Sequence, residues 1–213
     1  MSKVTLGATM LLFAANAACG SSEQRLDGAG GTGGAGRGDC GAAPGDRDAR
    51  PGDCQATVAS HPIEGGQHMP VCAPLSYGTN PPSSGNHYPV WAAYQTYERP
   101  FPRGFWVHSL EHGAVVFTYN CPGGCADEVA DVQAFIDGLP ADCGAKARRV
   151  ILTPDPDLDV RFAASAWGHT LRAHCFDRDA FSTFFTAHYD RAPESICGGG
   201  EDPTEICGPS MCP

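Results

Sequence analysis

The segment GFWVHSLEHGAVVFTYN, residues 104–120, carries the most informative pattern in the chain. Its two halves, GFWVHSL and GAVVFTYN, are rich in aromatic and β-branched residues, which favour β-strands. The tripeptide EHG separates the halves, and Gly113 permits a tight bend there. We therefore predict two strands, or one strand with a sharp bend, with two histidines and a glutamate next to the junction.

The sequence on either side of this segment indicates both helices and strands. Residues 125–139 and 177–193 have apolar side chains at helical spacing, and Asp177 is suited to cap the second helix. Strands are predicted at residues 70–77, 148–155, 160–168 and 169–175, and a Pro- and Gly-rich loop at residues 78–89. This order predicts a single α+β domain with a small antiparallel or mixed sheet and two main helices.

The two ends of the chain differ in composition from this domain. Residues 1–18 are typical of a signal peptide, because Lys3 precedes an apolar run too short to span a bilayer. Residues 19–54 are Gly-rich and predict a flexible tether. The domain is expected at residues 55–195, followed by a Cys-rich tail at residues 196–213.

Cys19 lies where a lipoprotein signal peptide ends, after a run of small residues. We expect a lipid on Cys19, and the alternative is ordinary cleavage after Ala17 or Ala18. A lipid would anchor the protein to the membrane of a bacterial envelope, facing the periplasm or the cell surface. The membrane is thus the expected partner, and the sequence leaves the identity of any protein partner open.

The 11 cysteines support export independently of the signal peptide. Without Cys19 they form an even set of ten, which suits disulfides in an oxidising compartment. The sequence leaves their pairing open. The ten disulfide candidates are Cys40, Cys54, Cys72, Cys121, Cys125, Cys143, Cys175, Cys197, Cys207 and Cys212.

The charge of the chain excludes one class of partner. The formal net charge is −10, and only 14 of the 213 residues are Lys or Arg. Proteins that bind nucleic acids neutralise phosphates with clustered basic residues, and this chain has no such cluster. We therefore expect no nucleic-acid partner.

Four of the eight histidines lie in the predicted loops and at the strand junction. Loops that a rigid sheet holds in place often carry ligand-binding groups. His108 and His112 would share a face on a helical turn and on a strand alike. We predict that the four histidines bind one transition metal ion, copper or zinc, because imidazole suits both. They are His68, His87, His108 and His112.

Two other interpretations of this cluster stay open. The motif H-x-x-E-H at residues 108–112 resembles that of the inverzincin peptidases, in which a helix supplies two histidines and the glutamate activates zinc-bound water. Glu111 would then be the general base of a metal-dependent hydrolase, although the strand-like context argues against a peptidase. Alternatively, the protein is a structural envelope protein without metal, with Glu111 paired to an arginine such as Arg103.

Two longer motifs resemble the bacterial DUF3105 family, a domain of unknown function often found with a membrane anchor or lipoprotein signal. They are P-P-x-S-G-x-H at residues 81–87 and V-H-x-L-E-H-G at residues 107–113. The resemblance covers about residues 60–194, including GGQHMPV with His68 and APE at residues 192–194. It implies that the histidines and the glutamate of these motifs belong to the family pattern.

Overall fold

The computed structural model describes residues 54–142, 148–207 and 212. These residues form a mixed sheet with strand order β1-β5-β4-β2-β3, in which β2 and β3 are parallel and the other neighbours antiparallel. The α+β prediction is confirmed. In chain order the elements are β1 Ala56–Ser60, α1 Arg103–Glu111, β2 Val115–Tyr119, α2 Ala126–Asp137, β3 Val150–Pro154, β4 Phe162–Ala166, β5 His169–Ala173, α3 Arg178–His188 and α4 Pro203–Cys207.

The sheet is covered on both faces, which explains the three consecutive apolar residues Val115–Phe117 in β2. Val115 and Phe117 pack in one buried cluster with residues of α2 and α3. Val116, between them, packs in a second cluster with residues of α1. Since successive side chains of a strand point to opposite faces, α1 lies across the sheet from α2 and α3.

The prediction of a strand at residues 104–110 is wrong, because these residues lie in α1. Every residue from Gly104 to Leu110 is buried. A helix that is buried on all sides has no polar face, so its sequence lacks the helical alternation of polar and apolar residues. The aromatic and β-branched composition of α1 therefore indicated a strand although the segment is helical.

Other predicted elements can be compared directly with the structure. The strand predicted at residues 70–77 is wrong, because prolines interrupt this segment and the amide of Ala73 donates to the carbonyl of Pro70 in a turn. The helices α2 and α3 and the strands β2 to β5 are confirmed, and the Asp177 side chain caps α3. The short elements β1 and α4 were not predicted.

Disulfides cross-link the described chain, two of them between distant residues and one within a short segment. They link Cys54 to Cys175, Cys72 to Cys212, and Cys121 to Cys125. The predicted disulfide-stapled domain is thereby confirmed, and the cross-links indicate an oxidising, exported environment. Within the described residues, no helix has the length and apolarity needed to cross a membrane.

Of the remaining predictions about cysteines and the N-terminus, one concerns a described side chain and the others concern parts of the chain that the structure does not describe. Cys197 is also disulfide-bonded. Outside the described residues lie the signal peptide at 1–18, nearly all of the tether at 19–54, the predicted lipid site Cys19, Cys40, Cys143 and the side chain of Cys207.

The long connection between β1 and α1, residues 61–102, is held in place by backbone hydrogen bonds. His68 and His87 form an isolated parallel bridge, in which the amide of Met69 donates to the carbonyl of His87 over 2.7 Å. The amide of Tyr88 donates to the carbonyl of Gly104 in α1 over 3.1 Å. These bonds fix two histidines of the loop beside each other and next to the helix.

Gly113 joins α1 to β2 in a conformation that other residues adopt with strain, with φ at +87°. A Cβ atom at Gly113 would lie 2.8 Å from Nη1 of Arg149 and 3.1 Å from Cα of Asp190. We expect Gly113→Ala to lower the free energy of unfolding by roughly 2 kcal/mol, through strain and overpacking.

Chemical denaturation measures this loss, and Gly123→Ala is a matched control because a Cβ there meets nothing within 4 Å. Equal stabilities for the Gly113 and Gly123 variants would show that the junction is not constrained as described.

Candidate metal centre

The last turns of α1 and the loop before it bring three histidines and a glutamate together. Each of His68, His87, His108 and Glu111 offers a ligand atom, and these atoms all lie within 4.8 Å of one another. The ring centroids of the three histidines are 4.5–5.1 Å apart. His87 and His108 are 0% and 3% exposed, whereas His68 is exposed and Glu111 is half-buried. The group is therefore buried on the side of His87 and His108 and open to solvent on the side of His68.

The two buried imidazoles are oriented by backbone carbonyls. Nδ1 of His87 lies 2.9 Å from the carbonyl oxygen of Gly85, and Nδ1 of His108 lies 2.6 Å from that of Tyr88. A carbonyl only accepts hydrogen bonds, so Nδ1 carries the proton in both rings. Each Nε2 is left with a free lone pair, which is the usual arrangement of a histidine that binds a metal.

Nε2 of His87 has an unusual environment for a buried nitrogen. It lies 3.1 Å from Oε2 of Glu111, yet it has no hydrogen-bond partner among the described residues. With the proton on Nδ1, an imidazole lone pair and a carboxylate oxygen face each other, and both are acceptors. A buried polar atom without a partner is costly, and a cation between these two atoms would satisfy both.

Burial keeps the histidines of this region in the neutral form that metals require. Desolvation, together with the neighbouring His87 and His112, lowers the pKa of His108 to about 3. Desolvation also lowers the pKa values of His87 and His112. Burial, followed by the nearby charge of Glu194, raises the pKa of Glu111. Near neutral pH these imidazoles are therefore unprotonated and can act as ligands.

His112, the C-cap of α1, belongs to an adjoining group rather than to the first one. Glu111, His112 and Glu194 also offer ligand atoms within 4.8 Å of one another. Nε2 of His112 lies 3.2 Å from Oε2 of Glu194, and the amide of Glu194 donates to the carbonyl of Glu111 over 3.1 Å. The structure thus places Glu111, rather than His112, with the other three histidines of the predicted set.

Sequence reasoning did not identify Glu194 as part of the site. Its signal was the APE tripeptide at residues 192–194, which the family resemblance included without a role. Trp91 also contributes, because its ring packs against His108 and His112 with centroid distances of 5.4 and 4.5 Å.

The proposed pairing of Glu111 with Arg103 is wrong. Arg103 binds the buried Asp155 through a salt bridge of 2.8 Å and so anchors the start of α1 to the end of β3. The other histidines lie outside both groups. His61 is hydrogen-bonded to Thr170, His169 stacks on His188, and His174 is exposed.

The lowered histidine pKa values predict that stability falls in mild acid. A histidine with a folded pKa below its unfolded value of about 6.5 binds its proton more readily in the unfolded chain. The contribution of these histidines to stability is therefore fully present above about pH 6.5 and declines as the pH falls. For His108 the decline continues down to its folded pKa of about 3. The raised pKa of Glu111 makes stability increase as the pH falls. This is one carboxyl group against three histidines, so we expect a net loss of stability in mild acid.

Denaturation of metal-free protein in EDTA between pH 7.5 and 5 measures this effect. We expect a slope approaching about 1.4 kcal/mol per pH unit for each buried histidine. The same free energy of unfolding at pH 6.5 and pH 5 would show that these rings are not held neutral by the fold.

Comparison with known proteins places the chain in a family but gives it no activity. No curated protein and no solved structure shows significant similarity to it. A family model described as a protein of unknown function (DUF3105) matches residues 68–199, which is more than half of the chain. This range begins at His68 and includes Glu194, so it contains both groups of ligand atoms. The chain belongs to the DUF3105 family.

Proposed function

We propose that this protein is an exported domain that binds a transition metal ion, zinc or copper, through His68, His87, His108 and Glu111. The observation that carries the proposal is the pair of buried imidazoles, His87 and His108. Their Nδ1 atoms are bound to carbonyl groups, and each ring offers a ligand atom to a compact group that includes a carboxylate. The family pattern supports it, because the matched region contains all four residues.

The donor set fits zinc and copper. Three imidazole nitrogens and one carboxylate oxygen are ligands that both ions accept. A tetrahedral zinc site with bonds of about 2.0–2.1 Å brings its ligand atoms to about 3.4 Å from one another. Small rotations of side chains that already lie within 4.8 Å of one another would close this set around an ion. The solvent-facing His68 offers an entry path.

A groove in the described structure lies apart from the proposed metal ligands. A groove of about 570 Å³ lies over β1 and β5, where residues such as Thr57, His61 and Arg172 line it. None of the four proposed metal ligands lines this groove. An enzyme that used Glu111 as general base would need a substrate cavity next to the metal.

The enzyme alternative is favoured by one observation, the open side at His68, which leaves room for a water ligand. Glu111→Gln separates the alternatives. If Glu111 is a ligand, the variant binds metal more weakly than the native chain. If Glu111 is a base, metal affinity is retained and hydrolysis of an activated ester by the metal-loaded protein is lost.

A lipid anchor on Cys19 is part of the proposal, because the small residues before Cys19 and the signal-like N-terminus support it. We expect cells that express the full chain to incorporate a fatty-acid analogue into it, and Cys19→Ser to abolish the incorporation. Labelling that persists in Cys19→Ser would exclude this anchor. Failure of the anchor would leave the metal-binding proposal intact.

Metal content tests the main proposal. The full chain is purified without a histidine tag, stripped with EDTA, dialysed against zinc or copper at about micromolar concentration and analysed by mass spectrometry. We expect bound metal after dialysis, and His68→Ala, an exposed substitution with little effect on folding, to weaken it. Binding no stronger than that of an unrelated acidic protein would contradict the proposal.

A further inference from the structure

We propose that a second metal ion binds beside the first, held by Glu111, His112 and Glu194, so that the Glu111 carboxylate bridges two ions. This inference rests on the proposed function, because Glu111 is shared between the two groups of ligand atoms. The centre would then be dinuclear, for two divalent cations such as zinc.

The last helical turn of α1 places ligands for both ions on one surface. His108 and His112 are four residues apart, and their ring centroids lie 4.6 Å from each other. Glu111 lies between them in sequence and contributes to both groups. Two-metal sites hold their ions about 3.5–4 Å apart, and a carboxylate with two oxygens is suited to bridge them. The shared Glu111 makes the two groups direct neighbours, as a bridged pair requires.

The second group contains two carboxylates, and in the described part of the chain each forms an ion-pair contact with a histidine rather than with Lys or Arg. Glu111 and Glu194 offer carboxylate oxygens within 4.8 Å of each other, so two like charges lie close together when both are ionised. Nε2 of His112, a 2% exposed residue, lies 3.2 Å from Oε2 of Glu194. A cation among two carboxylates and an imidazole would offset the repulsion and satisfy their lone pairs.

The backbone around the second group is fixed, so its ligands are positioned before an ion arrives. Arg149 donates from Nη1 to the carbonyl of His112 over 2.8 Å and to Oδ1 of Asp190 over 2.8 Å. Asp190 in turn donates its amide to the carbonyl of Gly113 over 2.9 Å. The segment that follows carries Glu194, whose amide is bound to the carbonyl of Glu111. These bonds hold His112 and Glu194 on the same side of α1.

The number of ions per chain tests the inference. The metal-free full chain is loaded with zinc in small excess, passed through a desalting column and analysed for zinc per mole of protein. We expect two ions in the native chain and one in Glu194→Ala, a 52% exposed position at which alanine leaves the core unchanged. His112→Ala should also retain one ion. Glu98→Ala, an exposed acidic control outside both groups, should retain two.

The outcomes separate this inference from the proposed function. One ion in the native chain, unchanged in Glu194→Ala, would overturn the second site and leave the first intact. Two ions in both the native chain and Glu194→Ala would also overturn it, because the second ion would then lie elsewhere. Absence of zinc from the native chain would contradict both proposals.

Discussion

His108→Ala should lower the affinity for zinc or copper by at least roughly 100-fold. His108 is 3% exposed, and its Nδ1 donates to the carbonyl of Tyr88, so the lone pair is on its Nε2. Loss of an outer-shell partner alone costs about 10–100-fold in metal affinity, so loss of a direct ligand should cost more. Isothermal titration of the metal-free protein with a competing chelator measures the change.

The matched control for this experiment is His188→Ala. His188 stacks on His169, with centroids 4.0 Å apart, and belongs to neither group of ligand atoms. It should therefore bind metal as tightly as the native chain. Because a buried histidine can also support folding, the exposed His68→Ala is measured in parallel. Native affinity in both His108→Ala and His68→Ala would exclude this centre.

Arg149→Ala should lower the free energy of unfolding by about 3 kcal/mol, the low end for breaking a buried ion pair. Arg149 is 1% exposed and binds Asp142 and Asp190 as well as the carbonyl of His112. Without it these groups lose their donor, although the two carboxylates are partly solvent-exposed and can be hydrated in part. Chemical denaturation measures the loss.

Arg149→Lys is the informative companion variant, because lysine retains the charge but cannot donate in the forked geometry of a guanidinium. We expect an intermediate stability. In both variants the carbonyl of His112 is held less firmly, so the second ion should be lost more readily than the first. A loss of less than about 1 kcal/mol in Arg149→Ala would show that this network does not stabilise the domain.

Much of the fold could be predicted from local patterns. The helical spacing of α2, the cap of α3 by Asp177 and the apolar runs of β2 and β3 are signals that depend on neighbouring residues alone. The helix α1 could not be predicted in this way, because burial on all sides removes the polar face that identifies a helix. Burial on all sides is a tertiary property, which short-range sequence patterns do not contain.

The candidate site shows the same division. The histidines of the loop and of α1 were recognisable by residue type and by their placement near turns. Glu111 lies beside His87 because of the face that it occupies on a helical turn. The prediction of a strand at this segment did not show that face. Glu194 and Arg149 come from distant parts of the chain. The segment after α3 brings Glu194 to α1, whereas the pairing of β3 with β2 brings Arg149 beside the end of α1.

X-ray absorption spectroscopy of the full chain loaded with one equivalent of zinc tests the central claim most directly. The proposed centre predicts nitrogen and oxygen neighbours at about 2.0–2.1 Å, with the outer-shell scattering of about three imidazoles and no sulfur at about 2.3 Å. A sulfur shell, or a shell of water and carboxylate oxygen without imidazole scattering, would contradict it.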